Sequence, residues 1–435
     1  MHSTGTMAHA CGSACLLLGL MLPGLAASAS VMYLETLQWT YPDAVCMDGT
    51  PSGYYWRPST NKTLAGHIWL VFLQPGGWCA SQGECDERCA HEPHLCSSEH
   101  WESEMPMEGI FTNEAEDPLA HANKVFVRYC TSDAHMGDGE AFGYQFRGER
   151  VVQSVLDELV SRRGLGRRPH QRDLLIFGGS SAGSRGAMVH LDYVNTMLGP
   201  EAAANVELYG YLDSPAWMDV PPLNHSFEGF AHTTQAVYSF ANVSNFGPLC
   251  EEMYGDSDEL WKCMFGEFRL PLITTRYLVV ATQYDSYQLN GGFGRIAPGV
   301  QWIDPPDYSQ VQTTYADRVA AKTREFMHSL AQPGRGVYSP TCYSHAVSTG
   351  AWFSEHTCAD GTSRRQALLQ FVGLEPRAKS SSLEWIDDCE GLDCGAGCFA
   401  LVEGASPSSE VSVASRAAFA VSALLAALAA GLLAA

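Results

Sequence analysis

Positive charge is scarce in this chain. Lysine and arginine total 26 against 48 aspartate and glutamate, for a formal net charge of −22. A surface of that sign repels nucleic acid, whose binding rests on neutralised phosphates. It also disfavours a strongly polyanionic ligand unless the cleft is locally basic. The one basic cluster, Arg162, Arg163, Arg167, Arg168, His170 and Arg172, reads as a solvated loop. No internal repeat is present, which excludes tandem solenoid or propeller architectures.

Charge is absent altogether from both ends. Residues 1–29 hold no Asp, Glu, Lys or Arg, although a basic n-region is usual in export signals. Residues 15–26 are a short apolar run, and Ala27-Ser28-Ala29 has the small-x-small form of a cleavage site. These features predict a secretory signal peptide over 1–29, too short to span a membrane. After Arg416 the chain runs through apolar or small residues, Ala417 to Ala435. A polar spacer, Pro407 to Arg416, and the small triplet Gly404-Ala405-Ser406 precede it. That order predicts a GPI-attachment signal over 405–435, and the missing basic flank argues against a permanent transmembrane anchor. The expected product is a secreted protein held at the cell surface.

Of 15 cysteines, 13 follow residue 29. In a secreted chain they read as disulfides, and the odd count leaves at least one unpaired or bonded to another molecule. Asn61, Asn224 and Asn242 open glycosylation sequons.

The continuous apolar run at 68–73 predicts a strand buried on both faces, and 124–129, 174–177 and 277–281 read as further strands. Val151, Val152, Val155, Leu156, Leu159 and Val160 have helical spacing, as do Met188, Leu191, Val194 and Leu198. Alternating strands and helices predict an α/β fold with a mainly parallel sheet covered on both sides. The predicted catalytic unit is 30–378. Its Cys- and His-rich segment 79–120 is expected as a disulfide-tied insertion, and 379–404 as a stapled stalk.

Gly179-Ser180-Ser181-Ala182-Gly183 sits between a strand and a helical segment. In that context G-x-S-x-G is a nucleophile elbow, with Ser181 lifted out of a sharp turn that only small neighbours allow. A serine nucleophile needs a base and an acid, in the order Ser, Asp or Glu, His. Asp285 follows the strand 277–281 closely and fits the acid, although a turn aspartate capping the next segment is an equal reading. His225 and His232 precede Asp285, and His328 lies in a helical stretch. His345 is the favoured base, with His356 as the alternative. An oxyanion needs aimed N–H donors, which the glycine loop Gln74-Pro75-Gly76-Gly77-Trp78-Cys79 offers at Gly77 and Trp78, joined by Ala182. By itself that loop is equally a plain tight turn.

Several segments together resemble the pectin acetylesterase and Notum carboxylesterase family. They are Cys46-Met-Asp-Gly-Thr-Pro-Ser-Gly-Tyr-Tyr55, Trp69-Leu-Val-Phe-Leu-Gln-Pro-Gly-Gly-Trp-Cys79, Arg128-Tyr-Cys-Thr-Ser-Asp133 and Gly178-Gly-Ser-Ser-Ala-Gly183. Leu212-Asp-Ser-Pro-Ala-Trp217, Tyr284-Asp-Ser286 and Cys342-Tyr-Ser-His345 continue the series in family order. The resemblance implies an α/β-hydrolase-like fold, a Ser181–Asp285–His345 triad, oxyanion donors at Gly77, Trp78 and Ala182, and no metal or organic cofactor. It implies disulfides rather than zinc for the cluster Cys85, Cys89, His91, His94 and Cys96. Two departures bear on cleft shape and charge. Ser184-Arg185 stands where the family has Gly, and Gln74-Pro75 where it has Glu-Gly. The implied activity is a serine carboxylesterase acting on O-acyl esters. Deacetylation of pectin or another acetylated cell-wall polysaccharide is the first reading. Removal of palmitoleate from a signalling protein is the second, and a catalytically silent binder of acylated ligands is the third.

Overall fold

The computed structural model describes residues 29–398, apart from 169, 295–306, 378–382, 393 and 396. The expected signal peptide, save Ala29, and the expected anchor signal lie outside the described residues. Ten strands form one sheet. They are β1 (Ser30–Thr36), β2 (Gly53–Arg57), β3 (Ile68–Leu73), β4 (Glu104–Met107) and β5 (Asn123–Val127). The rest are β6 (Asp173–Ser180), β7 (Val206–Asp213), β8 (Tyr277–Val280), β9 (Arg335–Ser339) and β10 (Glu384–Ile386). Their spatial order is β10-β9-β8-β7-β6-β3-β5-β2-β1-β4. Pairings from β10 through β5 are parallel, and β2, β1 and β4 add antiparallel at one edge.

The apolar runs behave as their composition demands. In β3, Trp69, Val71 and Leu73 enter one core while Ile68, Leu70 and Phe72 enter the other. With both faces covered there is no polar face, so the strand reads as an unbroken run. The helices that matter for the site are α1 (Gln82–His91), α2 (Gly148–Glu158), α3 (Ala182–His190), α4 (Phe230–Ala241), α5 (Ser286–Gly292), α6 (Gln310–Leu330) and α7 (Arg364–Phe371). Helices α2, α3 and α6 pack into the first core and α7 into the second. The expected continuous helix through Met188, Leu191, Val194 and Leu198 is interrupted. Helix α3 stops at His190, and a 3-10 turn leads to a short helix Val194–Leu198, yet all four side chains remain buried.

Among the described residues six disulfides pair Cys46–Cys130, Cys79–Cys85, Cys89–Cys96, Cys250–Cys263, Cys342–Cys398 and Cys389–Cys394. Cys358 is left as a buried free thiol. The cysteines at 79–96 are thus consumed as disulfides. The segment 79–120 is more than an insertion, because β4 extends the sheet. Within the stretch expected as a stalk, described residues are built into the fold. Strand β10 pairs with β9, Trp385 is buried in the second core, and Cys398 is bonded to Cys342. The sheet and the second core therefore extend past residue 378. The Trp385-Ile386 pair in an otherwise polar segment was the available signal.

Candidate active site

Parallel pairing aligns Leu73 with Gly179, Ser180 with Asp213, and Asp213 with Val280. The loops that leave this carboxyl edge converge, as open α/β sheets require of their sites. Ser181 lies in the turn between β6 and α3, with φ 52° and ψ −121°. A non-glycine residue held there costs about 1–3 kcal/mol, so the surroundings must enforce it. The Ser181 N–H donates to the Asp213 carbonyl at 2.8 Å, and the Arg185 N–H donates to the Ser181 carbonyl at 2.9 Å. The flanking glycines are steric necessities. A Cβ on Gly179 would sit 2.4 Å from the Gly183 carbonyl carbon, and one on Gly183 would sit 2.0 Å from the Leu73 oxygen.

His345 Nε2 lies 2.7 Å from Ser181 Oγ, and His345 Nδ1 lies 2.7 Å from Asp285 Oδ2. A carboxylate only accepts, so Nδ1 carries the proton and Nε2 is left to accept one from serine. The second Asp285 oxygen, Oδ1, accepts the Gln288 N–H at 2.8 Å and caps α5. One carboxylate oxygen thus faces His345 while the other caps the helix. Tyr287, the second residue of α5, stacks on the His345 ring with centroids 5.1 Å apart. Burial alone would lower the His345 pKa, but the charge and hydrogen bond of Asp285, with a smaller contribution from Asp213, raise it above its ordinary 6.5.

The alternative base is placed elsewhere. His356 stacks on Trp352 at 4.5 Å, and burial, aided by Arg364, pushes its pKa down to about 3. His328 sits between Glu384 and Asp388, and His232 pairs with Glu228.

The glycine loop is gripped by its carbonyls. Tyr129 Oη donates to the Gly77 oxygen at 2.7 Å, Arg88 donates to the Gly76 oxygen, and His135 Nε2 meets the Gln74 oxygen at 3.0 Å. Gly77 has φ 67°, a left-handed conformation that glycine adopts without strain. The Gln74 side chain accepts the Tyr129 N–H at 3.0 Å, which gives one departure from the family pattern a local structural role. Beneath this loop, buried Asp133 accepts the N–H groups of His135, Gly137 and Gly148, which fixes a turn where Ser132, Ala134 and His135 all have positive φ.

Sequence reasoning missed the role of Asp213 at the end of β7. Its Oδ2 accepts Ser180 Oγ at 3.0 Å and both Ser348 groups, N–H at 3.1 Å and Oγ at 2.6 Å, while Ser214 Oγ accepts the Ala346 N–H at 3.1 Å. Asp213 thereby ties the loop carrying His345 to the strand end beside Ser181. Its only signal was membership of the segment 212–217. The sequon residues Asn61, Asn224 and Asn242 are all exposed.

A parallel sheet covered on both faces, disulfide-rich, with an elbow at the carboxyl edge of a central strand, defines an α/β-hydrolase-like carboxylic ester hydrolase. The chain belongs to the pectinacetylesterase family, whose model matches residues 25–398. Among curated proteins it is 27% identical over 381 residues to palmitoleoyl-protein carboxylesterase notum2 of Xenopus laevis, covering 83% of this chain and 73% of that one. It is likewise 27% identical over 371 residues to palmitoleoyl-protein carboxylesterase NOTUM of Homo sapiens, covering 81% and 70%. Among solved structures it matches the Wnt deacylase Notum from Drosophila with a TM-score of 0.72 at 23% identity, covering 86% of this chain and all of that one.

Proposed function

We propose that this protein is an extracellular serine carboxylesterase that hydrolyses O-acyl esters with Ser181, His345 and Asp285. The observation that carries the reading is the unbroken chain of two 2.7 Å contacts from Asp285 through His345 to Ser181. Ser181 Oγ attacks the ester carbonyl carbon while its proton passes to His345 Nε2. The oxyanion is met by the N–H groups of Gly77, Trp78 and Ala182. His345 returns the proton to the departing alcohol, and water then hydrolyses the acyl-serine by the same route.

The substrate proposed first is an acetylated cell-wall or cell-surface polysaccharide, and the net charge of −22 favours a glycan less acidic than pectin. Similarity to palmitoleoyl-protein carboxylesterases supports lipid deacylation of a protein as the second reading. Export by the 1–29 signal, glycans at Asn61, Asn224 and Asn242, and a GPI anchor added near Gly404-Ala405-Ser406 complete the proposal. Release from cells by a phosphatidylinositol-specific phospholipase tests the anchor. Ser181→Ala on p-nitrophenyl acetate tests the chemistry. Turnover should fall roughly 10⁶-fold, and unchanged turnover would refute the assignment.

A further inference from the structure

Arg185 stands four residues after Ser181 and is 1% exposed. Its guanidinium lies 3.6 Å from the Trp78 ring centroid and 4.1 Å from that of Trp217. Its side-chain hydrogen bonds go to neutral oxygens, Thr234 Oγ1 on α4 at 3.4 Å and the Met264 carbonyl at 3.2 Å. The two indoles belong to an aromatic enclosure. Trp217, Phe230, Trp261 and Phe265 form its buried centre, with Trp78 and Tyr287 packed against it. Trp217 packs edge-on to Trp78 and stacks with Tyr287, which in turn stacks on His345. The enclosure thus reaches from the catalytic histidine into the interior, and the guanidinium occupies it beside Trp78.

An ester attacked by Ser181 places its carbonyl oxygen toward Gly77 and Trp78, so its acyl chain starts at the mouth of this enclosure. A methyl group can end at that mouth. A longer chain must run toward Arg185, displace a cation held between two indoles, and lay methylenes against a charge with little access to water. Desolvated cation–π contacts are the strong ones, and apolar contact with a buried charge is unfavourable. We infer that Arg185 plugs the aromatic enclosure beside Ser181 and restricts the enzyme to short acyl groups of acetyl size. The inference rests on the proposed triad and names the acyl class that the triad cleaves.

The test compares kcat/KM on p-nitrophenyl acetate and octanoate for the full chain, Arg185→Ala and Arg185→Lys. The wild type should prefer acetate by about a hundredfold or more, Arg185→Ala should shrink that ratio at least about tenfold, and Arg185→Lys should retain most of it. A folded Arg185→Ala with the wild-type ratio overturns the inference. So does a wild type that prefers octanoate, a result that needs no variant to fold. Labelling by a fluorophosphonate probe separates the two levels. A chain that labels at Ser181 but keeps its ratio refutes the role of Arg185 alone, whereas a chain that neither labels nor turns over acetate refutes the esterase reading beneath it.

Discussion

Asp285→Asn separates the two tasks that one side chain performs. In the wild type Oδ1 accepts the Gln288 N–H at 2.8 Å and Oδ2 accepts His345 Nδ1–H at 2.7 Å. Asparagine keeps one oxygen and gains an NH₂ group. The Gln288 N–H is a fixed donor, so the amide oxygen stays on the cap and the NH₂ turns toward His345. Asparagine caps helices as well as aspartate does, so the folding cost from the cap is close to zero. The imidazole must now accept at Nδ1, which moves its proton to Nε2 and points an N–H at Ser181 Oγ. The base is lost while the geometry survives. In a serine protease the same exchange lowers kcat about 10⁴-fold, equivalent to about 5.4 kcal/mol of transition-state stabilisation. Asp285→Ala should lose comparable activity and, in addition, about 1 kcal/mol of stability from the missing cap. The assay is kcat on p-nitrophenyl acetate, paired with urea denaturation of each variant. Turnover by Asp285→Asn within tenfold of wild type would refute the reasoning, as would a loss of stability equal to that of Asp285→Ala.

Because Asp285 raises the His345 pKa above 6.5 and only neutral imidazole accepts the serine proton, kcat/KM should rise with pH to a half-maximum above pH 6.5. A pH–rate profile with its acid limb centred below 6.5 would contradict that sign. Lys124 Nζ is buried among Ser30 Oγ and the carbonyls of Phe111, Thr112 and Ala120, at 2.5–3.0 Å. Lys124→Met removes the donor to all four acceptors, leaves the Thr112 and Ala120 carbonyls without it in a buried site, and should cost about 3 kcal/mol or more in denaturant unfolding. Gly183→Ala places a methyl carbon 2.0 Å from the Leu73 oxygen, so it should both destabilise the fold and lower turnover at least about a hundredfold, measured by calorimetry and the acetate assay.

Much of the site was legible because its chemistry is local or ordered along the chain. The elbow is five consecutive residues between a strand and a helix, and its glycines are dictated by contacts within a few ångströms. The strand runs at 68–73 and 174–177 were legible because burial on both faces removes the polar alternation that would blur them. What escaped was non-local. Residues 384–386 are too short to announce a strand, and their place at the sheet edge comes from pairing with β9. The helix after Ser181 breaks at His190 although its apolar period continues, because burial selects the face and not the hydrogen-bond ladder.

The sequence by itself determined the covered parallel sheet, the strand–turn–helix at Ser181, the chain order of Ser181, Asp285 and His345, and the odd count of cysteines after residue 29. Each follows from periodicity, small-residue geometry or arithmetic along one chain. Only the tertiary structure set His345 rather than His356 beside Ser181, divided Asp285 between a helix cap and a histidine, gave Asp213 its hold on the His345 loop, and lodged Arg185 between Trp78 and Trp217. Those outcomes depend on which side chains from distant segments meet at the carboxyl edge of the sheet. Spacing along a chain does not contain that information until the strands have paired.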